Sequence, residues 1–127
     1  MPPKKFYHVT EPKNVDSILR KGLSPRRTPS GDVKAVYLWS QHQKARTEDF
    51  CVDVVDPRQE NGGCAVLEVR LPEEIPAERR RCIAELPGYR CEYLVKRKIL
   101  PKYIKLLGYY EIESYPGMTT SRFVRVT

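Results

Sequence analysis

The chain has 127 residues, 40% hydrophobic and 31% charged, with a formal net charge of +7. That length fits one domain over residues 1–127 with a core of its own, and the scattered Gly and Pro exclude disordered and fibrous classes. No apolar stretch approaches the roughly 20 residues that span a bilayer, and the basic N-terminus leads into a strand pattern rather than a signal-peptide core, so a cytoplasmic protein with no membrane partner is expected. In chain order, KKFYHVT alternates apolar side chains and reads as a strand ending in His8-x-Thr10. Next, EPKNVDSILRKGL places Val15, Ile18, Leu19 and Leu23 on one helical stripe, with Pro12 in its first turn and Gly22 at its end. SPRRTPSGD is a turn-rich loop, VKAVYLW a second strand, and SQHQKARTEDF a polar helix begun by a Ser40 cap.

VVDPRQENGG reads as an exposed loop and CAVLEVRL as a strand. PEEIPAERRR reads as a charged excursion. YRCEYLVK alternates again, with Tyr89, Cys91, Tyr93 and Val95 on one side, so that Glu92 is expected to point away from the more apolar face. PKYIKLLGYYEIESY predicts a short turn and a long strand, and RFVRVT a last strand after a Pro116-Gly117 turn. The product is an α+β single domain, rich in strands, with two or more short helices.

Cys51, Cys64, Cys82 and Cys91 show no C-x-x-C spacing, and His8 and His42 add no zinc-like spacing to them. Reduced thiols and no metal are therefore expected. The positive charge is clustered at Arg26-Arg27, Arg79-Arg80-Arg81, Lys96-Arg97-Lys98, and Arg122 with Arg125. Such clusters concentrate polyanions, so DNA or RNA is a candidate partner, although basic surfaces also serve solubility alone.

Taken singly, a strand histidine, tyrosine or glutamate is more often structural than functional. Here His8 sits in FYHVT before NVDSILRKGL, Tyr37 in AVYLWSQHQKA, and Glu92 in CEYLVKRKILPKYIKLLG. In this order, from about Phe6 to Leu107, the three motifs resemble the His-Tyr-Glu branch of the ADP-ribosyltransferase superfamily. That branch includes the poly(ADP-ribose) polymerases and the DNA-modifying toxins of bacterial toxin–antitoxin systems. The resemblance implies a split, twisted β core of the ADP-ribosyltransferase type and NAD as substrate, with no metal. It implies that His8 hydrogen-bonds a ribose hydroxyl, that Thr10 contacts the nicotinamide amide or orients the site, with a backbone contact to the amide open to Val9, and that Tyr37 stacks on the nicotinamide ring. Glu92 would hold the nicotinamide ribose and stabilise the oxocarbenium-like state.

Val9 stands where the polymerases have Gly, as an apolar residue does in the DNA-modifying toxins, and Ala35 replaces a Gly before the tyrosine. The second stacking tyrosine of the polymerases falls near Glu48, leaving Phe50 or Trp39 for that place. Arg26 and Arg27 could hold the NAD diphosphate or be solvated. Arg90, two residues before Glu92, replaces the acidic or amide residue of arginine-modifying toxins, which turns the expected acceptor away from protein arginine, while the basic clusters favour DNA or RNA. An antitoxin or regulatory partner belongs to the same reading. Two other readings stay open: an RNA 2′-phosphotransferase, which shares a His strand and a Pro-led Ile-rich turn, and a non-catalytic binding module of the same fold. There is no G-x-G-x-x-G after a strand, so hydride-transfer chemistry has no support.

Overall fold

The computed structural model describes residues 4–27, 33–40, 64–85, 88–116 and 118–126. Strand β1 (Lys4–Thr10) is followed by a 3-10 turn (Pro12–Asn14) and helix α1 (Val15–Lys21), then β2 (Val36–Trp39), β3 (Cys64–Leu71), β4 (Glu78–Glu85) and β5 (Gly88–Val95). A second 3-10 turn (Pro101–Tyr103) leads into β6 (Ile104–Tyr115) and β7 (Met118–Arg125). The strands form one sheet in the order β4-β5-β2-β1-β3-β6-β7. Every registered pair among the described residues is antiparallel. The architecture is thus α+β, a mostly antiparallel sheet with a short helix.

Period-2 alternation sorts the side chains of the sheet into two buried sets. On the α1 side, Phe6, Val36, Leu38, Leu67, Val69, Leu71 and Val95 pack with Ile18 and Leu19 of the helix. On the opposite face, Val9, Trp39, Cys64, Val66, Leu107 and Tyr110 form a second cluster, flanked by Tyr7 and Phe123. Helix α1 ends at Gly22, whose φ of 88° with ψ of −171° is a region open in practice only to glycine. That bend carries Leu23 into a two-way backbone pair with Ile99, 2.9 and 2.8 Å, which staples the helix exit to the segment after β5.

Two expectations are corrected. The charged stretch ending in Arg79-Arg80-Arg81 is not an excursion outside the sheet. It enters β4, because an edge strand with one solvated side accepts charged residues on that side. Cys64, Cys82 and Cys91 are not reduced, and Cys51 lies outside the described residues. Cys82 and Cys91 are direct cross-strand partners in the β4–β5 hairpin, with Cα atoms 4.0 Å apart and a disulfide between them, and Cys64 is disulfide-bonded as well. Strand register brought together thiols that sequence spacing kept nine residues apart. The expected polar helix from Gln41 onward, with His42 and Phe50, lies outside the described residues. No helix among those described is long and apolar enough to cross a membrane.

Candidate active site

The sheet forks between β1 and β2. Their registered pair is Tyr7 with Trp39, whereas β1 pairs with β3 along its whole length. Continued pairing would set Val9 opposite Tyr37. Instead the His8 side chain reaches across, its Nδ1 lying 2.9 Å from the Tyr37 carbonyl oxygen. A cleft of about 240 Å³ opens at this fork, walled by His8 and Thr10, by α1 from Ser17 to Lys21, and by Arg26 with Ala35 to Tyr37.

A carbonyl oxygen can only accept, so the proton of the ring sits on Nδ1 and the lone pair on Nε2. Burial holds the His8 pKa below its ordinary value; the hydrogen bond to the Tyr37 carbonyl opposes this and the Arg26 charge adds to it. The imidazole is therefore neutral at pH 7, with Nε2 able to accept a hydroxyl proton. Thr10 is buried, and its hydroxyl oxygen accepts from the Asn14 amide at 3.2 Å, which ties the end of β1 to the start of α1.

Tyr37 is fixed twice. Its carbonyl takes the His8 bond, and its hydroxyl donates to the Val33 carbonyl at 2.5 Å. Directly opposed residues on antiparallel strands share a face, so the pairs Tyr37–Leu94 and Trp39–Glu92 put Tyr37, Trp39 and Glu92 on one side of the sheet. His8, one residue from Tyr7, alternates to the other side. Glu92 is 5% exposed and, as the alternation predicts, lies on the face away from Tyr93 and Val95, opposite Trp39 of the second cluster.

The link between Glu92 and Tyr37 is Arg80. The β4–β5 register slips between Arg79 and Arg81, leaving Arg80 as the extra residue of a bulge. Bulges re-aim side chains, and this guanidinium lies 3.5 Å from the Glu92 carboxylate and 5.8 Å from the centre of the Tyr37 ring. Ser40 braces the same strand from the other side: its hydroxyl accepts from the Cys91 N–H, and its own N–H donates to the Cys91 carbonyl, both at 2.9 Å.

A chain of contacts runs from His8 to the Tyr37 carbonyl, from the Tyr37 ring to Arg80 and from Arg80 to Glu92, but the three side chains do not share one face: Glu92 lies with Tyr37 on the side opposite His8 and is not among the residues lining the cleft. Of the other expected site residues, Arg26 lines the cleft while Arg27 is exposed beside it, and Val9 packs in the second cluster. Trp39 is buried with Val9, and Phe50 lies outside the described residues. Sequence reading named Ser40 only as a helix cap and Arg80 only within a basic cluster, and did not single out Asn14 or Lys21. The hint for Arg80 was the pair Cys82 and Cys91 flanking an ELPG turn, which marks a hairpin and brings the preceding arginines beside Glu92. Among the described residues no group of three or more His, Cys, Asp or Glu side chains could hold a metal ion.

No protein-family model, no curated protein and no solved structure matches the chain.

Proposed function

We propose that this protein is an NAD-dependent ADP-ribosyltransferase acting at the β1–β2 fork, with DNA or RNA as the acceptor. The observation that carries the reading is the contact chain from His8 through Tyr37 and Arg80 to Glu92, which ties together the three residues on which the motif resemblance rests.

In this reaction the bond between ribose C1′ and the nicotinamide nitrogen breaks, and its electron pair leaves with neutral nicotinamide. An acceptor nucleophile bonds to C1′ and gives its proton to solvent. Positive charge builds at C1′ before the new bond forms, so a fixed carboxylate stabilises the transition state more than the ground state. Glu92 has the chemistry for that role. It is held on a strand braced by Ser40 and a disulfide, so little reorganisation accompanies the step. Nε2 of neutral His8 accepts a ribose hydroxyl proton, and the tethered ring of Tyr37 offers a planar face to nicotinamide. Arg26 at the cleft wall is the nearer of the two paired arginines for a diphosphate.

The test is incubation with labelled NAD and separate pools of DNA, RNA and protein. The reading expects nicotinamide release and label on nucleic acid. Folded protein that releases no nicotinamide with any pool would overturn it and return weight to the phosphotransferase or the non-catalytic module.

A further inference from the structure

Away from the cleft, the face of the sheet that carries Glu92 holds a second site. Glu68 of β3 is 3% exposed, yet it is encircled by cations: Arg70 at 2.5 Å, Lys105 of β6 at 3.9 Å and Lys5 of β1 at 4.0 Å. Burial alone would raise the Glu68 pKa, but the Arg70 hydrogen bond and the charges of Arg70, Lys105 and Lys5 outweigh it and hold the carboxyl below its ordinary range. One ionised carboxylate thus anchors three cations whose side chains remain 48–62% exposed. Buried charge of this kind contributes little net stability, because desolvation offsets the attraction. It does restrict where the cations sit.

Glu68, Arg70 and Lys105 border a groove of about 280 Å³ that also takes in Pro72, Lys102 and Tyr103, whose ring centre lies 5.1 Å from the Lys102 ammonium; Lys5 stands beside it through its pair with Glu68. Register sets its position. Lys105, Glu68, Tyr7, Trp39 and Glu92 are successive cross-strand partners on β6, β3, β1, β2 and β5. Three strand spacings separate Glu68 from Glu92, roughly 14 Å at ~4.8 Å per strand.

We propose that Lys5, Arg70 and Lys105, held around the buried carboxylate of Glu68, together with Lys102 on the groove wall bind the phosphodiester backbone of a single-stranded nucleic acid. Three cations on the groove wall and Lys5 beside it, against one carboxylate, leave this patch positive, as phosphate binding requires. An aromatic ring among cations is the combination that holds single strands, through phosphate contacts and base stacking. Binding itself is independent of NAD chemistry. That the bound strand is the acceptor presented to Glu92 rests on the proposed transferase reading.

The experiment is fluorescence anisotropy, without NAD, of labelled single-stranded DNA and RNA of about 12 nucleotides over a salt series. The wild-type affinity should fall with salt at a slope of about −0.7 for each phosphate neutralised, so Lys5→Gln with Lys105→Gln should flatten the slope by about 1.4. Lys96→Gln with Lys98→Gln, a basic cluster elsewhere, should leave it in place. The proposal is overturned by absence of salt-dependent binding, by a slope unaltered in the Lys5/Lys105 variant, or by equal competition from polyglutamate, which would point to an acidic protein partner. A DNA or RNA preference identifies the strand. Because no NAD is present, failure here is separate from failure of the transferase reading.

Discussion

His8 Nδ1 donates to the backbone carbonyl of Tyr37 across 2.9 Å, a side-chain bond standing where two strands would otherwise exchange backbone bonds. This one contact holds the sheet at its fork and fixes the histidine as the Nδ1–H tautomer.

A pH dependence follows. The folded-state pKa of His8 lies below the unfolded value of about 6.5, so the unfolded chain takes up the proton first as pH falls. Stability should therefore drop from about pH 6.5 downward, until the lowered folded pKa is passed. Urea unfolding at pH 7.5 and pH 5.5 should show lower stability at pH 5.5, with a smaller difference in His8→Gln, which cannot titrate. Equal pH sensitivity in both proteins would place the effect elsewhere. Glu68, whose carboxyl is held below its ordinary range, contributes its own loss only in more acid solution.

Arg80 and Glu92 should be energetically coupled, but weakly. Their contact is 3.5 Å long and the Arg80 side chain is 31% exposed, which puts the pair towards the solvent-screened end of the range. A double-mutant cycle with Arg80→Met and Glu92→Gln should give a coupling of about 0.5–1 kcal/mol. Strict additivity would mean that the bulge places Arg80 without energetic use of Glu92.

The β4–β5 hairpin depends on its cross-link. Removing a bridge that closes so short a loop restores chain entropy to the unfolded state, and Cys82→Ser with Cys91→Ser should cost about 2–3 kcal/mol. Denaturant unfolding with and without reductant is the check, and reductant should have no further effect through this bridge in the double variant.

Gly22→Ala should be costly for a different reason. A Cβ at φ 88° would meet the Ile99 carbonyl, and the backbone there suits glycine alone. A loss of about 1–3 kcal/mol is expected, measured by chemical unfolding. A neutral substitution would show that the Leu23–Ile99 pair can shift.

Much of this was legible in the chain. The alternation in KKFYHVT and CAVLEVRL gives β1 and β3, and Val15, Ile18 and Leu19 with Gly22 at the end give α1 and its exit, although Leu23, expected on the same stripe, lies past the helix in its bridge to Ile99. The long strand after Pro101 was equally clear. What failed did so for non-local reasons. The alternation rightly set Glu92 away from Tyr93 and Val95, but that this side is buried is decided by Trp39 on a neighbouring strand 50 or so residues earlier. The Cys82–Cys91 bridge and the re-aimed Arg80 both depend on hairpin register, which composition does not encode. The fork likewise arises between strands and is visible in neither alone.

The most direct test of the central claim is nicotinamide release from NAD by wild type and Glu92→Gln. The substitution keeps size and hydrogen-bonding capacity while removing the charge, so loss of one electrostatic stabiliser should slow release by about 10²–10³-fold. NAD affinity should change far less, because His8 and Tyr37 remain. A folded Glu92→Gln protein that releases nicotinamide at the wild-type rate would contradict the account.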